Sequence, residues 1–287
     1  MRAPAHAGAV VLAAVVLAAT VAVVTPASAE PVADAVCAEH VDDPVAVPWR
    51  DSGVDATRGG CLHADVSARL GGHALIDTPG FYGTVGGDLT VAARFVESNR
   101  LEWGFGLRVV DAVVVQNAVF TVDELGYGPI SAHLALGGAS VLAGKPLRGA
   151  VYARLEAPFT RSRLDGSSGA LQLGGAATWR LAPRWRAHGH VAALGWYASS
   201  TSGRDGRAAA ATSADLGWRP RGWLGLFLGA DLQVGWYGWG LDHLAVRSGA
   251  HWRVKGLWRV ELAAGRPLLG AERTDLGFGL AVRRDLD

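Results

Sequence analysis

The sequence predicts an all-β protein, an antiparallel transmembrane β-barrel of about twelve strands, an even number, with 10–14 open. Three observations carry this prediction. After residue 60 the apolar residues recur at every second position, short and long connections alternate, and tryptophans gather beside the short connections. Period-two alternation is typical of strands whose two faces meet different surroundings, and a bilayer is crossed by tilted strands of about 9–11 residues.

Length and composition exclude some functions. The chain has 287 residues, 50% of them hydrophobic and 18% charged, with a formal net charge of +1. That length suits one large β domain or two ordinary ones. A general nucleic-acid binder normally carries a basic excess, so we expect no nucleic-acid partner.

Residues 1–29 have the organisation of a cleaved signal peptide. Arg2 forms a short positive region, 8–24 is apolar, and "ASA" directly precedes Glu30, as the small-x-small cleavage rule requires. The alternative is a retained membrane anchor, because about 17 apolar residues is the lower limit for a helical span. The proline before "ASA" favours cleavage and therefore export.

The two cysteines, Cys37 and Cys61, lie just past the predicted cleavage site. An isolated pair in an oxidising compartment usually forms a disulfide, and two free thiols are the alternative. The bridge would tie a periplasmic N-terminal segment, 30–60, to the barrel at 61–287. Closing a loop of that size stabilises by about 3 kcal/mol in the chain-entropy model. The segment is also a candidate plug for the barrel.

The strand prediction rests on alternation such as that in 101–109, where Leu101, Trp103 and Phe105 alternate with Glu102 and a glycine. Twelve such segments occur, near 61–72, 88–97, 101–110, 129–142, 147–157, 168–181, 185–197, 209–218, 223–236, 243–254, 257–265 and 274–284.

The alternation is irregular in two places. Within 109–119 it breaks, which indicates either a bulge or a strand that continues beyond the membrane. Along each strand one alternate set of residues is mostly polar and is expected to face inward, and the other is apolar; we call these sets the polar parity and the apolar parity. Within 192–197 Leu194 and Trp196 fall on the polar parity and are therefore predicted on the inner face.

The connections fall into two groups. Short ones lie at 98–100, 143–146, 182–184, 219–222 and 255–256. Longer ones are predicted at 76–87, 120–128, 159–168, 199–208, 237–242 and 266–274. Tight turns at one end and long loops at the other are the typical strand connectivity of outer-membrane barrels. We expect the short turns and the N terminus to face the periplasm.

Seven tryptophans share the apolar parity close to the short turns, and we expect them to form an aromatic girdle. An indole prefers the headgroup level of a bilayer because its ring is apolar and its N–H is polar. They are Trp103, Trp179, Trp185, Trp218, Trp223, Trp252 and Trp258. Three more, Trp196, Trp236 and Trp239, lie near the opposite strand ends and are candidates for a second girdle.

This architecture resembles the outer-membrane β-barrel proteins of Gram-negative bacteria, porins and channels among them. The resemblance covers 61–287, rests on architecture and involves no family-specific motif. It implies location in the outer membrane, contact with outer-membrane lipid and lipopolysaccharide, and insertion by the outer-membrane machinery. One departure is the C terminus, "AVRRDLD", where many such barrels end on an aromatic residue. A soluble β-sandwich or lipocalin-like barrel is the alternative.

No pattern predicts catalysis. His63, Asp65 and Ser67 share one face of a strand, yet successive residues on one face are about 7 Å apart, too far for a hydrogen-bonded triad. We therefore expect no catalytic residue. Some twelve-stranded barrels act on lipid, so a lipid-hydrolysing barrel is the third functional alternative.

No metal or cofactor is predicted either. Four histidines fall on the polar parity without a metal-ligand spacing: His133, His188, His190 and His251. We interpret them as lining of the barrel interior.

The leading functional prediction is a narrow pore for small solutes with a mild anion preference, because arginines outnumber acids on the polar parity. The predicted lumen-lining arginines are Arg69, Arg94, Arg108, Arg148, Arg154, Arg180, Arg186, Arg247, Arg253, Arg259 and Arg283. The opposing acids are Asp65, Glu102, Glu156, Asp215, Asp231 and Glu261. A structural or surface-interaction barrel without transport is the alternative.

Four small residues share the inward parity: Gly104, Gly106, Gly277 and Gly279. Glycine lets another backbone approach closely, and it also permits barrel curvature. The sequence leaves both interpretations open.

Overall fold

The computed structural model describes residues 61–62, 64–77, 82–97, 100–116, 121–157, 167–200, 203–235, 238–254, 257–270 and 276–286. The predicted signal peptide at 1–29, the segment 30–60 and Cys37 lie outside these residues. No helix in the described ranges is long and apolar enough to cross a membrane.

Thirteen strands follow one another along the described chain. They are β1 (Asp65–Asp77), β2 (Tyr82–Glu97), β3 (Leu101–Gln116), β4 (Thr121–Gly126), β5 (Ile130–Leu142), β6 (Lys145–Ala157), β7 (Ser167–Ala182), β8 (Trp185–Ser200), β9 (Gly203–Arg221), β10 (Leu224–Gly235), β11 (Gly238–Arg253), β12 (Trp258–Leu269) and β13 (Leu276–Asp285).

The strands form one closed antiparallel sheet. Each strand from β5 to β12 pairs with the next along the chain, β1 pairs with both β2 and β13, and β2 pairs with β3. Both β4 and β5 pair with β3, at Gln116–Asp111 and Leu107–Leu101 respectively. They are therefore two halves of one wall strand, interrupted at 127–129, and the barrel has twelve wall positions. The predicted fold class is confirmed.

The irregularity predicted at 109–119 is both a bulge and an extension. The β2–β3 register shifts between Leu89 and Thr90, which pair with Val110 and Arg108 and leave Val109 as the extra residue. Beyond the bulge β3 continues to Gln116. A bulge exchanges the two faces of a strand, which explains why the alternation breaks here.

The long loops are shorter than predicted. The predicted loop at 120–128 contains β4, and the predicted loop at 76–87 is mostly the paired ends of β1 and β2. The strands flanking 199–208 and 237–242 also extend into these ranges. Backbone pairing continues where the apolar alternation has ended, because a ladder needs only backbone hydrogen bonds.

The sheet is apolar outside and polar inside. Large exposed side chains include Phe105 at 52%, Leu155 at 56% and Leu228 at 65% exposure. Among the described residues, all of the largest side chains that are less than 2% exposed are polar: His243, Gln233, Glu102, Glu261, Thr178, Asp65 and Asp242. A soluble barrel has the opposite arrangement, since it buries apolar surface. The soluble alternative is therefore excluded.

Inward glycines make room for large side chains of the adjacent strands. A methyl group on Gly104 would lie 2.6 Å from Cε1 of His133, and one on Gly174 would lie 2.7 Å from the Tyr152 hydroxyl oxygen. A methyl group on Gly106 would lie 2.9 Å from the Ser131 hydroxyl oxygen. At Gly104 and Gly106 the small residue thus accommodates a neighbouring side chain of the wall.

We predict that Gly229→Ala destabilises the barrel by about 1–3 kcal/mol, as overpacking usually does. The added methyl group would overlap the Asp215 carboxylate and lie 2.7 Å from the Ala214 carbonyl oxygen. Urea unfolding in lipid vesicles, followed by tryptophan fluorescence, measures the effect. The matched control is Gly189→Ala, where nothing lies within 4 Å, and it should be neutral or slightly stabilising. Equal stability of the two variants would contradict the prediction.

Candidate functional site, the charged interior of the barrel

The eleven arginines of the polar parity all have restricted exposure. Arg186, Arg247 and Arg259 are buried, at 8%, 2% and 4% exposure, and the other eight are half-buried. Their neighbours along each strand point the other way, as Leu70 and Leu155 do beside Arg69 and Arg154. The side chains therefore lie on the inner face of the sheet. Their role as the lining of an open lumen is part of the proposal below.

One buried arginine and two buried carboxylates form a cluster on β9, β10 and β11. The Arg247 guanidinium donates to both oxygens of Asp215, at 2.9 and 2.5 Å, and its Nε lies 3.4 Å from the Asp231 carboxylate. All three side chains are at most 3% exposed. Two carboxylates so placed need the cation between them, because burial without it would leave like charges in a medium of low polarity.

A second cluster joins the two strands that close the barrel to their neighbours. Asp65 at the start of β1 accepts hydrogen bonds from Arg94 of β2, with Nε 3.1 Å from each carboxylate oxygen. Further along β1, Arg69 donates to Asp88 at 3.1 Å. On the other side of the β1–β13 pairing, Arg259 of β12 donates to Asp285 at the end of β13, at 2.6 and 3.2 Å.

Three inward carboxylates were absent from the set predicted by sequence. Asp88 and Asp242 are 8% and 1% exposed, and Asp285 bonds to the buried Arg259. Asp88 is the first residue of the predicted segment 88–97, and Asp242 is the extra residue at a register shift between β10 and β11. Following the polar parity from Arg94 back to the start of that segment would have found Asp88. The interior is therefore less basic than the sequence alone indicates.

Three of the four predicted inward histidines contact polar side chains. His133 Nε2 lies 2.8 Å from Glu102, and His188 Nδ1 lies 2.9 Å from the Thr178 hydroxyl. His190 bonds to the Tyr152 hydroxyl, which also accepts a hydrogen bond from Gln172 at 2.9 Å. These contacts bridge two or three adjacent strands.

The candidate catalytic set does not assemble within the described residues. His63 lies outside them, and the Asp65 carboxylate is bound by Arg94. No group of three or more His, Cys, Asp or Glu residues in the described part of the chain could hold a metal ion.

Of the seven tryptophans predicted as a girdle, six lie at the short-turn ends of their strands and Trp223 lies in the turn between β9 and β10. Five are exposed, at 39–47%, and Trp179 and Trp252 are half-buried. Trp185 stacks on Trp218 with ring centroids 5.9 Å apart, and Trp103 stacks on Phe95 at 4.5 Å. Trp179 Nε1 donates to the Leu142 carbonyl at 3.3 Å.

Trp196, one of the three candidates for a second girdle, does not join one. Trp196 is half-buried and packs on the inner wall against an apolar cluster that includes Leu194, with the Arg207 guanidinium 5.5 Å from its ring. The inward parity predicted for Leu194 and Trp196 is therefore correct, and Trp196 is not a lipid-facing residue. The side chains of Trp236 and Trp239 lie outside the described residues.

Cys61 is 3% exposed, and the described part of the chain contains no free cysteine. Because Cys37 lies outside the described residues, its pairing with Cys61 stays a prediction.

Comparison with known proteins identifies a fold and no family. No protein-family model matches the chain, and no curated protein matches it. An outer membrane channel from Pseudomonas putida F1 has a similar structure, with a TM-score of 0.62 at 14% identity over 86% of this chain and 100% of that one. The translocator domain of the autotransporter NalP from Neisseria meningitidis, at 12% identity over 80% of this chain and 90% of that one, has a TM-score of 0.47. The NanC porin, at 8% identity over 78% and 100%, scores 0.45.

The closed twelve-position sheet, its apolar exterior and its charged interior together define the class. The chain is an outer-membrane β-barrel protein of the Gram-negative type. The similar solved structures are channels, porins and autotransporter barrels.

We predict that Arg247→Leu destabilises the barrel by about 3–5 kcal/mol, since it removes the cation between two buried carboxylates. Adding Asp215→Asn and Asp231→Asn should recover part of the loss. Urea unfolding in vesicles gives the free energy. Arg284→Leu is the control, because Arg284 is exposed and lies over the Trp258 ring. A loss no larger than that of the control would show that the cluster adds no stability.

Proposed function

We propose that the barrel is a narrow pore for small solutes with a mild preference for anions. The proposal rests mainly on the polarity of the inner wall, because charged and polar side chains line nearly every strand there. Charged walls hold counter-ions in a confined space, and rings of arginine favour anions.

The burial of the interior supports a narrow bore. Asp65 and Glu102 have 0% exposure and Glu261 has 1%, although all three lie on the inner face. Ion pairs between adjacent strands hold these side chains close to the wall and to one another. A pore of this kind suits small ions better than large solutes.

The charge balance supports only a mild selectivity. The predicted arginines outnumber the predicted acids by about five, but Asp88, Asp242 and Asp285 are also buried or paired inside. Arginines that neutralise these acids contribute less to the field in the bore. The remaining basic excess still favours anions.

The same burial favours one alternative, a barrel that carries no solute and acts through its structure or surface. An interior closed by ion pairs would suit that role. The lipid-hydrolysing alternative has less support, because Asp65 is bound to an arginine and the similar structures are channels, porins and autotransporter barrels.

The proposed orientation places the short turns in the periplasm and the opposite ends outside. The seven tryptophans at the short-turn ends would then anchor the barrel at the periplasmic surface of the outer membrane, as a girdle does. Outer-membrane lipid, lipopolysaccharide and the insertion machinery are its proposed partners.

The segment 30–60 is proposed to enter the pore from the short-turn end. Leu62 lies just before β1, and its Cδ1 would be 2.7 Å from a methyl group on Gly137 of β5. Two wall positions, β2 and β3, separate β1 from β5. A side chain upstream of β1 can reach Gly137 only across the inside of the barrel, which directs the preceding chain toward the bore.

The pore is tested by reversal potentials across a KCl gradient in planar bilayers. We expect anion preference in the unmodified protein and a shift toward cations in Arg148→Glu, which reverses an inward charge. Arg284→Glu, an exposed position at the same end, should change little. Cation preference in the unmodified protein, or no conductance at all, would overturn the proposal.

The plug is tested by deleting 30–58. We expect single-channel conductance to rise because the segment no longer fills the mouth of the bore. The control is the full chain carrying Cys37→Ser and Cys61→Ser, which removes the predicted bridge and keeps the segment. Unchanged conductance in the deletion variant would show that the segment leaves the pore open.

A further inference from the structure

A basic pocket lies at the short-turn end of the barrel, between the ends of β8, β9 and β10. The pocket is partly open, and its empty space, open solvent included, is about 370 Å³. Five of its lining residues are basic: Arg184, Arg186, His188, Arg219 and His251. No carboxylate belongs to the described residues that line it.

A glycine and an irregular register create the space. The β9–β10 ladder shifts between Leu224 and Leu226, so Gly225 has no partner on β9. A methyl group on Gly225 would overlap the His251 imidazole. The His251 ring therefore occupies a position that any larger residue at 225 would restrict.

The adjacent acid is directed away from the pocket. Asp215 pairs in register with His188, yet its carboxylate is bound by Arg247 on the far side of β10, at 2.5 and 2.9 Å. Arg247 thus holds the Asp215 carboxylate toward β11. The described lining of the pocket contains basic side chains and no carboxylate.

Most of the pocket lining lies on the inner face of the wall. Arg186 and Phe227 are buried there, at 8% and 7% exposure. Arg184, in the turn, and Trp218, on the outward parity, are exposed at its edge. A ligand here would meet the Arg186 guanidinium on the inner face and an indole at the edge of the pocket.

We infer that this pocket binds a phosphate-type oxyanion. Guanidinium groups match such anions because their N–H donors form parallel hydrogen bonds to two oxygens, and imidazole N–H groups add further donors. The oxyanion can come from a free phosphate or from the headgroup of a phospholipid, since Trp218 lies on the lipid-facing parity. A role of the pocket as an entry site for permeating anions rests on the proposed pore. Binding of an oxyanion in the pocket does not require conductance.

The test is calorimetric titration of the purified full chain in a zwitterionic detergent, with inorganic phosphate and, separately, with short-chain phosphatidylglycerol. We expect saturable binding of at least one probe, weakened at least tenfold in Arg186→Gln with Arg219→Gln. Arg284→Gln, an exposed arginine outside the pocket, should bind as the unmodified protein does. Gly225→Ala should also weaken binding, because it displaces His251 without removing a charge.

The outcomes separate the two sources. Binding of inorganic phosphate identifies a free anion, and binding of the lipid alone identifies a headgroup. The inference is overturned if neither probe binds, or if the double variant binds as tightly as Arg284→Gln does. Heat-induced mobility shifts on unboiled gels establish that each variant is folded. If the unmodified protein binds neither probe but keeps its anion selectivity, the pocket is rejected and the proposed pore stands.

Discussion

Closure of the sheet is the constraint on which the rest of this structure depends. A strand in hydrocarbon cannot leave its backbone N–H and C=O groups unpaired, so the first and last strands must meet. Here β1 pairs with β13 from Asp65–Asp285 to Ala74–Leu276. The seam is reinforced at its short-turn end, where the Leu286 N–H donates to the Ala64 carbonyl. The barrel thus closes on a terminal strand that ends without an aromatic residue.

Closure creates an interior that the chain must fill with polar groups. Because the apolar residues face outward, the inner wall has alternating large charged residues and glycines on adjacent strands. Asp215 lies against Gly229, His251 against Gly225 and Tyr152 against Gly174. Each large side chain lies flat across the neighbouring strand instead of projecting into the bore. Small inner residues on one strand are therefore complementary to large inner residues on the adjacent strand. The placement of glycines along a single strand is explained only by the side chains of its neighbour.

The same arrangement links stability to function. Ion pairs such as Arg247–Asp215 and Arg94–Asp65 join adjacent strands and also remove charge from the bore. Every arginine used to neutralise a wall carboxylate is an arginine less available to a passing anion. The basic pocket at the short-turn end differs, because the adjacent carboxylate is bound elsewhere and several cationic groups converge on one space.

Period-two alternation was enough to determine the strands, their inner and outer faces and the positions of the tryptophans, because these are local properties of a pleated strand between two solvents. The inward direction of Trp196 followed from the same rule. The alternation did not determine where the strands end, because β4 and the extended ends of β1 and β2 depend on backbone pairing and not on hydrophobicity. Nor did the alternation determine which side chains the inward charged and polar residues contact. Asp88 meets Arg69, and His188 lies beside Gly217, only through the registers of neighbouring strands. Register is a relation between distant segments, and only the tertiary structure decides it.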